Sequence, residues 1–124
     1  MHKILGLRTV IYKVDDLKQG KEWYSKAFGQ KPYFDEPFYV GFNIGGYELG
    51  LLPIEEHEKV ELGSKTAYWG VENIEDSLKT MLNLGATEYE KPKDVGDGII
   101  VASLIDLWGN KIGLIYNPYF KLAE

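Results

Sequence analysis

Residues Leu7 to Gly29, LRTVIYKVDDLKQGKEWYSKAFG, return in altered form at Ser64 to Gly85, SKTAYWGVENIEDSLKTMLNLG. Each copy reads as a strand, a helix cap, an amphipathic helix and a glycine stop, so the chain is one small unit used twice. Thr9 matches Thr66, Val14 matches Val71 and Asp16 matches Asn73, each 57 positions apart, whereas Gly46 matches Gly109 and Gly50 matches Gly113 at a spacing of 63. The offset grows along the unit: loops have changed length while the strands kept their register.

Ile4 to Val14 carries β-branched and aromatic residues with apolar side chains on both faces, as a strand covered on both sides needs. Asp16 caps the following helix, with Gln19 completing a capping box. Leu17, Tyr24, Ala27 and Phe28 share one helical face, and Gly29 ends the helix. Trp23 and Tyr24 are neighbours in sequence and point a quarter turn or more apart, which predicts that only one faces the sheet and leaves the other for a partner subunit. Three strands follow at Pro32 to Phe34, Tyr39 to Ile44 and Tyr47 to Leu52, with Gly45-Gly46 as a two-residue hairpin turn. Pro53 to Lys65 is acidic and solvated, with Glu55, Glu56, Glu58 and Glu61. The second unit repeats the order: a strand at Thr66 to Val71, a helix capped by Asn73 with the stripe Ile74, Leu78, Met81 and Leu82, then strands at Thr87 to Tyr89, Ile99 to Ile105 and Lys111 to Tyr116.

At 124 residues the chain fits a single domain that buries a core without covalent staples. It has no cysteine, which excludes disulfides, thiolate nucleophiles and cysteine-ligated zinc and fits the cytoplasm. Neither a signal peptide nor a membrane span is visible. With a formal charge of −5 and no basic cluster, the chain would repel a phosphate backbone, so nucleic acid is not an expected partner. Seventeen aromatics (3 Trp, 9 Tyr, 5 Phe) exceed what a core of this size demands, which leaves some for a cavity or an interface.

The repeated order of elements, the helices opening on Asp16-Leu17 and Asn73-Ile74, and the last hairpin Asp106-Leu107-Trp108-Gly109-Asn110 resemble the vicinal oxygen chelate superfamily. Its members include glyoxalases, bleomycin resistance proteins, extradiol dioxygenases and fosfomycin resistance enzymes. The resemblance runs from about Leu5 to Tyr116. It implies an α+β fold of tandem βαβββ modules, about 5–52 and 64–117 joined by an acidic connector 53–63, with curved mixed sheets enclosing a cleft. Metal-dependent members bind a divalent ion there together with a substrate that chelates it, and members often pair, so a homodimer is expected.

In this family a ligand histidine or glutamate commonly lies on the first strand of a module, seven residues before the helix cap, where this chain has Thr9 and Thr66. A ligand glutamate commonly lies four residues after the turn glycine of the last strand, where it has Gly50 and Gly113. A threonine hydroxyl is a poor ligand and glycine offers none, so no metal or other cofactor is expected. His2 lies at a terminus and His57 in the acidic connector, where Glu56, His57 and Glu58 are a solvated charge run far more often than a surface site.

Strand alternation then lines the cleft with Thr9 and Ile11, Glu48 and Gly50, Thr66 and Tyr68, and Lys111 and Gly113. The two glycines leave room for a ligand. Tyr68 reads as either core or aromatic wall. Phe42 is included as a candidate contact, although Tyr39 lies on the face opposite Phe38 and Phe42 and one of the two sets must be core. Trp108, an aromatic in a turn, marks an interface or a ligand lid, or packs on a helix. Glu48 is the best general-base candidate, with Lys111 as its electrostatic partner, but two charges at strand ends are more often a surface ion pair. Ser25 and Ser103 have no histidine base near them in sequence. The reading that follows is a metal-free protein of the glyoxalase/bleomycin resistance type that sequesters a small organic molecule, aromatic or amphipathic. The alternatives are an enzyme, lyase- or isomerase-like, acting without the usual metal or with one at non-standard positions, and an inert scaffold.

Overall fold

The computed structural model describes residues 3, 5, 7–56, 58–60 and 66–120. The expectations for His2 and His57 lie outside these residues. The chain divides into two compact units, Met1–Lys59 and Val60–Glu124. Each is an open four-stranded mixed sheet with one helix, an α+β arrangement.

In the first unit β1 (Thr9–Val14) leads into α1 (Leu17–Phe28), then β2 (Phe34–Glu36), β3 (Tyr39–Ile44) and β4 (Tyr47–Pro53). The sheet order is β1-β4-β3-β2, with β1 parallel to β4 and the other pairs antiparallel. Asp16 caps α1 by accepting from the backbone N–H groups of Lys18 and Gln19 at 2.9 and 3.1 Å. Gly29 ends it in the left-handed conformation at φ 66°. Gly45 and Gly46, at φ 59° and 94°, make the hairpin turn whose twist suits antiparallel strands. Gly20 lies in α1 because the helix rides close on β1: a Cβ there would sit 2.9 Å from Val14.

The core of this unit is aromatic. Tyr24 stacks on Tyr12 at 5.6 Å and on Phe28 at 5.7 Å, and Trp23 meets it edge-on at 4.9 Å. Trp23 and Tyr24 are both buried, against the expectation that one would be left for a partner. Their rings meet edge to face, so the side chains converge although their Cα–Cβ bonds diverge. Val14, Val40, Phe42, Leu49 and Leu51 complete the core between sheet and helix.

The second unit runs β5 (Tyr68–Gly70), α2 (Ile74–Asn83), β6 (Thr87–Asp94), β7 (Ile100–Ile105) and β8 (Lys111–Tyr116), with sheet order β5-β8-β7-β6. Asn73 caps α2 by accepting from the Asp76 N–H at 3.0 Å. Ile74, Leu78 and Met81 face the sheet and pack with Trp69, Ala102, Leu104, Ile112 and Leu114, a largely aliphatic core.

Four strands differ from the sequence reading by two residues or more, among them β5, which is Tyr68–Gly70 rather than Thr66 to Val71. β1 begins at Thr9 rather than Ile4 among the described residues. β2 lies two residues later than expected, because edge pairing with β3 tolerates the exposed Asp35 and Glu36. β6 continues through Glu90, Lys91 and Pro92 to Asp94, a charged run that hides a strand. It is an edge strand, exposed along most of its length, and its register shifts between Glu90 and Lys93 accommodate the proline, which has no N–H for the ladder.

Candidate functional site

Each sheet has one face against its helix and one free of it, and strand alternation sorts the candidate residues between them. In the first unit Tyr12, Val14, Phe42, Leu49 and Leu51 are buried on the helix side. Phe42 is therefore core and is withdrawn as a ligand contact: it pairs with Leu49 across β3 and β4, and both point at α1. Thr9, Ile11, Glu48 and Gly50 occupy the helix-free face, with Thr9 opposite Glu48 and Ile11 opposite Gly50. In the second unit Tyr68 and Gly113 are partners on the corresponding face, and Thr66 touches the same glycine.

Neither glycine leaves an open notch. A Cβ on Gly50 would sit 2.1 Å from the Tyr39 hydroxyl oxygen and 2.7 Å from Ile11 Cδ1. A Cβ on Gly113 would sit 2.6 Å from the Ala67 carbonyl oxygen, 2.7 Å from the Tyr68 ring and 3.0 Å from Thr66 Cγ2. A tyrosine thus covers each position where the resembled family holds a metal-binding carboxylate, and the expected room for a ligand above the glycines is filled. The donor set does not fit the family's metal: two threonines and two tyrosine-covered glycines stand where imidazoles and carboxylates are needed. Among the described residues no three His, Cys, Asp or Glu side chains come together as a metal-binding group.

The first unit instead has a carboxylate held by hydroxyls. Thr9 Oγ1 donates to Glu48 Oε1 at 2.8 Å and the Tyr33 hydroxyl donates to Oε2, with the Tyr39 ring beside them over Gly41 and Gly50. Gly41 makes this possible, since its missing side chain leaves space for Glu48 Oε2, the Tyr33 ring and the Tyr39 ring, all within 3.3 Å of where a Cβ would be. Gly41 and Gly50 are directly paired on β3 and β4, so two adjacent glycines form a bare backbone floor under the tyrosines. The hydrogen bond from Tyr33 is the main reason the Glu48 carboxyl lies below the usual carboxylate range; partial burial opposes it, and Thr9 and Tyr39 add to it. Tyr39 is pushed up to about 12, first by burial and then by the neighbouring Glu48 carboxylate. Tyr33 is also raised, chiefly by its hydrogen bond to Glu48.

In the second unit the equivalent of Glu48 is Lys111, whose ammonium lies 3.0 Å from Glu90 Oε1 and 5.2 Å from the Tyr89 ring centroid. Ser103 donates to the same oxygen at 2.6 Å, and these bonds, Ser103 first, hold the Glu90 carboxyl below its usual range. Lys111 is thus paired with Glu90 of its own sheet rather than serving as the partner of Glu48. Tyr68 is 45% exposed, which settles it as a surface ring and not core. Trp108 is half-buried, in a turn tied down by Asp106: its N–H and that of Asn110 donate to Asp106 Oδ1, both at 2.8 Å.

Sequence reasoning missed Tyr33, Tyr39, Glu90 and Ser103 as members of these clusters. The paired glycines at 41 and 50 were the available signal for the tyrosines, since two bare positions side by side invite a ring. Glu90 is hidden because the charged run after Tyr89 does not read as strand, although β6 continues to Asp94.

No protein-family model and no curated protein matches the chain. Solved structures do. A glyoxalase-related enzyme from Fulvimarina pelagi superposes with a TM-score of 0.76 at 16% identity, over 97% of this chain and 94% of that one. A glyoxalase/bleomycin resistance protein from Albidiferax ferrireducens T118 gives 0.72 at 22%, over 90% and 98%. The fosfomycin resistance protein FosX from Mesorhizobium loti gives 0.72 at 13%, over 94% and 96%. The fold is that of the vicinal oxygen chelate superfamily. No helix among the described residues is long and apolar enough to cross a membrane.

Proposed function

We propose that the protein binds a small organic molecule on the helix-free faces of its sheets, in the manner of the bleomycin resistance type and without the metal used by many proteins of this fold. The observation that carries the metal-free part of the reading is the covering of Gly50 by Tyr39 and of Gly113 by Tyr68, because an aromatic ring stands where a metal would need a carboxylate. Exposed aromatics on the same faces, Tyr68 among them, offer apolar contact area. One of the similar structures carries the name of a glyoxalase/bleomycin resistance protein, which favours capture of a small molecule over a structural role.

An enzymatic reading draws on the enzymes among the similar structures, the glyoxalase-related one and FosX. The pKa directions work against it. Glu48 is pushed away from neutrality and so is a weaker base than an ordinary carboxylate, while Tyr33 and Tyr39 are pushed up and give protons less readily.

The test is metal analysis of the purified protein together with tryptophan fluorescence against a panel of small aromatic and amphipathic compounds. Saturable quenching without stoichiometric metal is expected. A stoichiometric zinc, nickel or iron atom, or no response to any compound, overturns the reading.

A further inference from the structure

Glu48 and Lys111 hold the same place in the two sheets, 63 residues apart, yet only one has a counter-ion. Lys111 is paired with Glu90 at 3.0 Å, whereas among the described residues no lysine, arginine or histidine forms an ion pair with Glu48. Its hydrogen-bond partners are the neutral hydroxyls of Thr9 and Tyr33. A carboxylate has about four acceptor positions, so two hydroxyls leave about two open.

What surrounds it is aromatic. Phe34 lies opposite Gly41 on the same face, with its ring 6.0 Å from Tyr39 and 6.1 Å from Phe38. Tyr33 and Phe38 are 64% and 65% exposed, far more than rings in a core would be. Ring faces attract cations, and a carboxylate adds the full opposite charge.

We propose that this face of the first unit is a binding site for an organic ammonium: a protonated amine whose N–H donates to Glu48, carried on an apolar body that lies against Tyr33, Phe34 and Phe38. The inference rests on the small-molecule reading above and names the ligand's chemistry. The second unit lacks such a site because Lys111 and Glu90 neutralise each other.

The test uses the full chain, amide chemical shifts and three probes of one shape: 2-phenylethylamine, 2-phenylethanol and 3-phenylpropanoate. The amine is expected to move the amides of Thr9, Tyr33, Tyr39 and Glu48 and to bind at least tenfold more tightly than the other two. Glu48→Gln should weaken the amine at least tenfold, while Glu22→Gln, which removes the same charge from the exposed side of α1, should not. Tyr33→Phe frees an acceptor position on the carboxylate and should preserve or strengthen amine binding, which mere loss of structure would not do. Equal binding of the three probes at these amides overturns the ammonium proposal and leaves the small-molecule reading standing. Indifference of the amine to Glu48→Gln, or no shift with the amine, overturns the proposal. The small-molecule reading then stands or falls with the fluorescence panel.

Discussion

The helix-free faces of the two units place opposite charges at one equivalent position and treat them differently. In the first, Glu48 on β4 is held by two hydroxyls over a floor of two glycines and forms no ion pair among the described residues. In the second, Lys111 on β8 is answered within its own sheet by Glu90, and Ser103 fills the place that Gly41 leaves bare. The cores differ in the same sense, aromatic in the first unit and aliphatic in the second. Duplication preserved the backbone while the side chains diverged into one face with an unbalanced charge and one that is internally neutral.

The sharpest way to break the comparison is at the glycines. Gly113→Ala should cost about 3 kcal/mol in chemical denaturation, because the new Cβ meets the Ala67 carbonyl, a backbone atom that accepts the Gly113 N–H at 3.0 Å and cannot move aside. A loss below about 1 kcal/mol would show that the two positions are equally forgiving. Asp106→Ala should follow at about 2–3 kcal/mol, since this buried carboxylate accepts from two backbone N–H groups and from the Asn110 amide. Its counterpart Asn43 accepts only from the Gly46 N–H in a solvated turn, so Asn43→Ala should cost less than about 1 kcal/mol.

Gly50→Ala should cost about 1–2 kcal/mol, less than Gly113→Ala, because the nearest atom is the movable end of the Tyr39 side chain. In a Tyr39→Ala background the same step should become cheaper by about 1 kcal/mol, a coupling that a double-mutant cycle reads directly.

The pH profile is expected to have two arms. Glu48 and Glu90 lie below their usual range in the folded state, so the stability they contribute is present above the unfolded value of about 4.3 and is lost as pH falls through the lower folded values. Tyr39 is the reverse case: its contribution is intact below the ordinary value of 10.0 and is lost as pH rises through about 12. Urea midpoints across pH should show both arms, and Tyr39→Phe should shrink the alkaline one, leaving the part that comes from the raised Tyr33. The smallest effect is expected for Lys111→Met. Its pair with Glu90 is partly exposed, so stability at neutral pH should barely move, and what change there is should shrink with added salt.

The sequence by itself determined the repeated unit, both helix caps, the Gly45-Gly46 hairpin, the three strand segments spanning Tyr39 to Leu52 and Lys111 to Tyr116, and the sorting of Thr9, Ile11, Glu48 and Gly50 onto one face. Those features follow from local rules: a strand alternates with period two, a short polar side chain caps a helix, and a positive φ asks for glycine. What covers the glycines was decided only in the tertiary structure. Gly50 and Gly113 read as empty space because a sequence shows the missing side chain and not the ring that arrives from elsewhere. For Gly50 that ring is Tyr39, brought over from β3 by strand pairing and the bare position at Gly41. The partners of Glu48 and Lys111 were settled in the same way, since hydroxyls and charges 13 to 39 residues apart meet only when the strands take up their register.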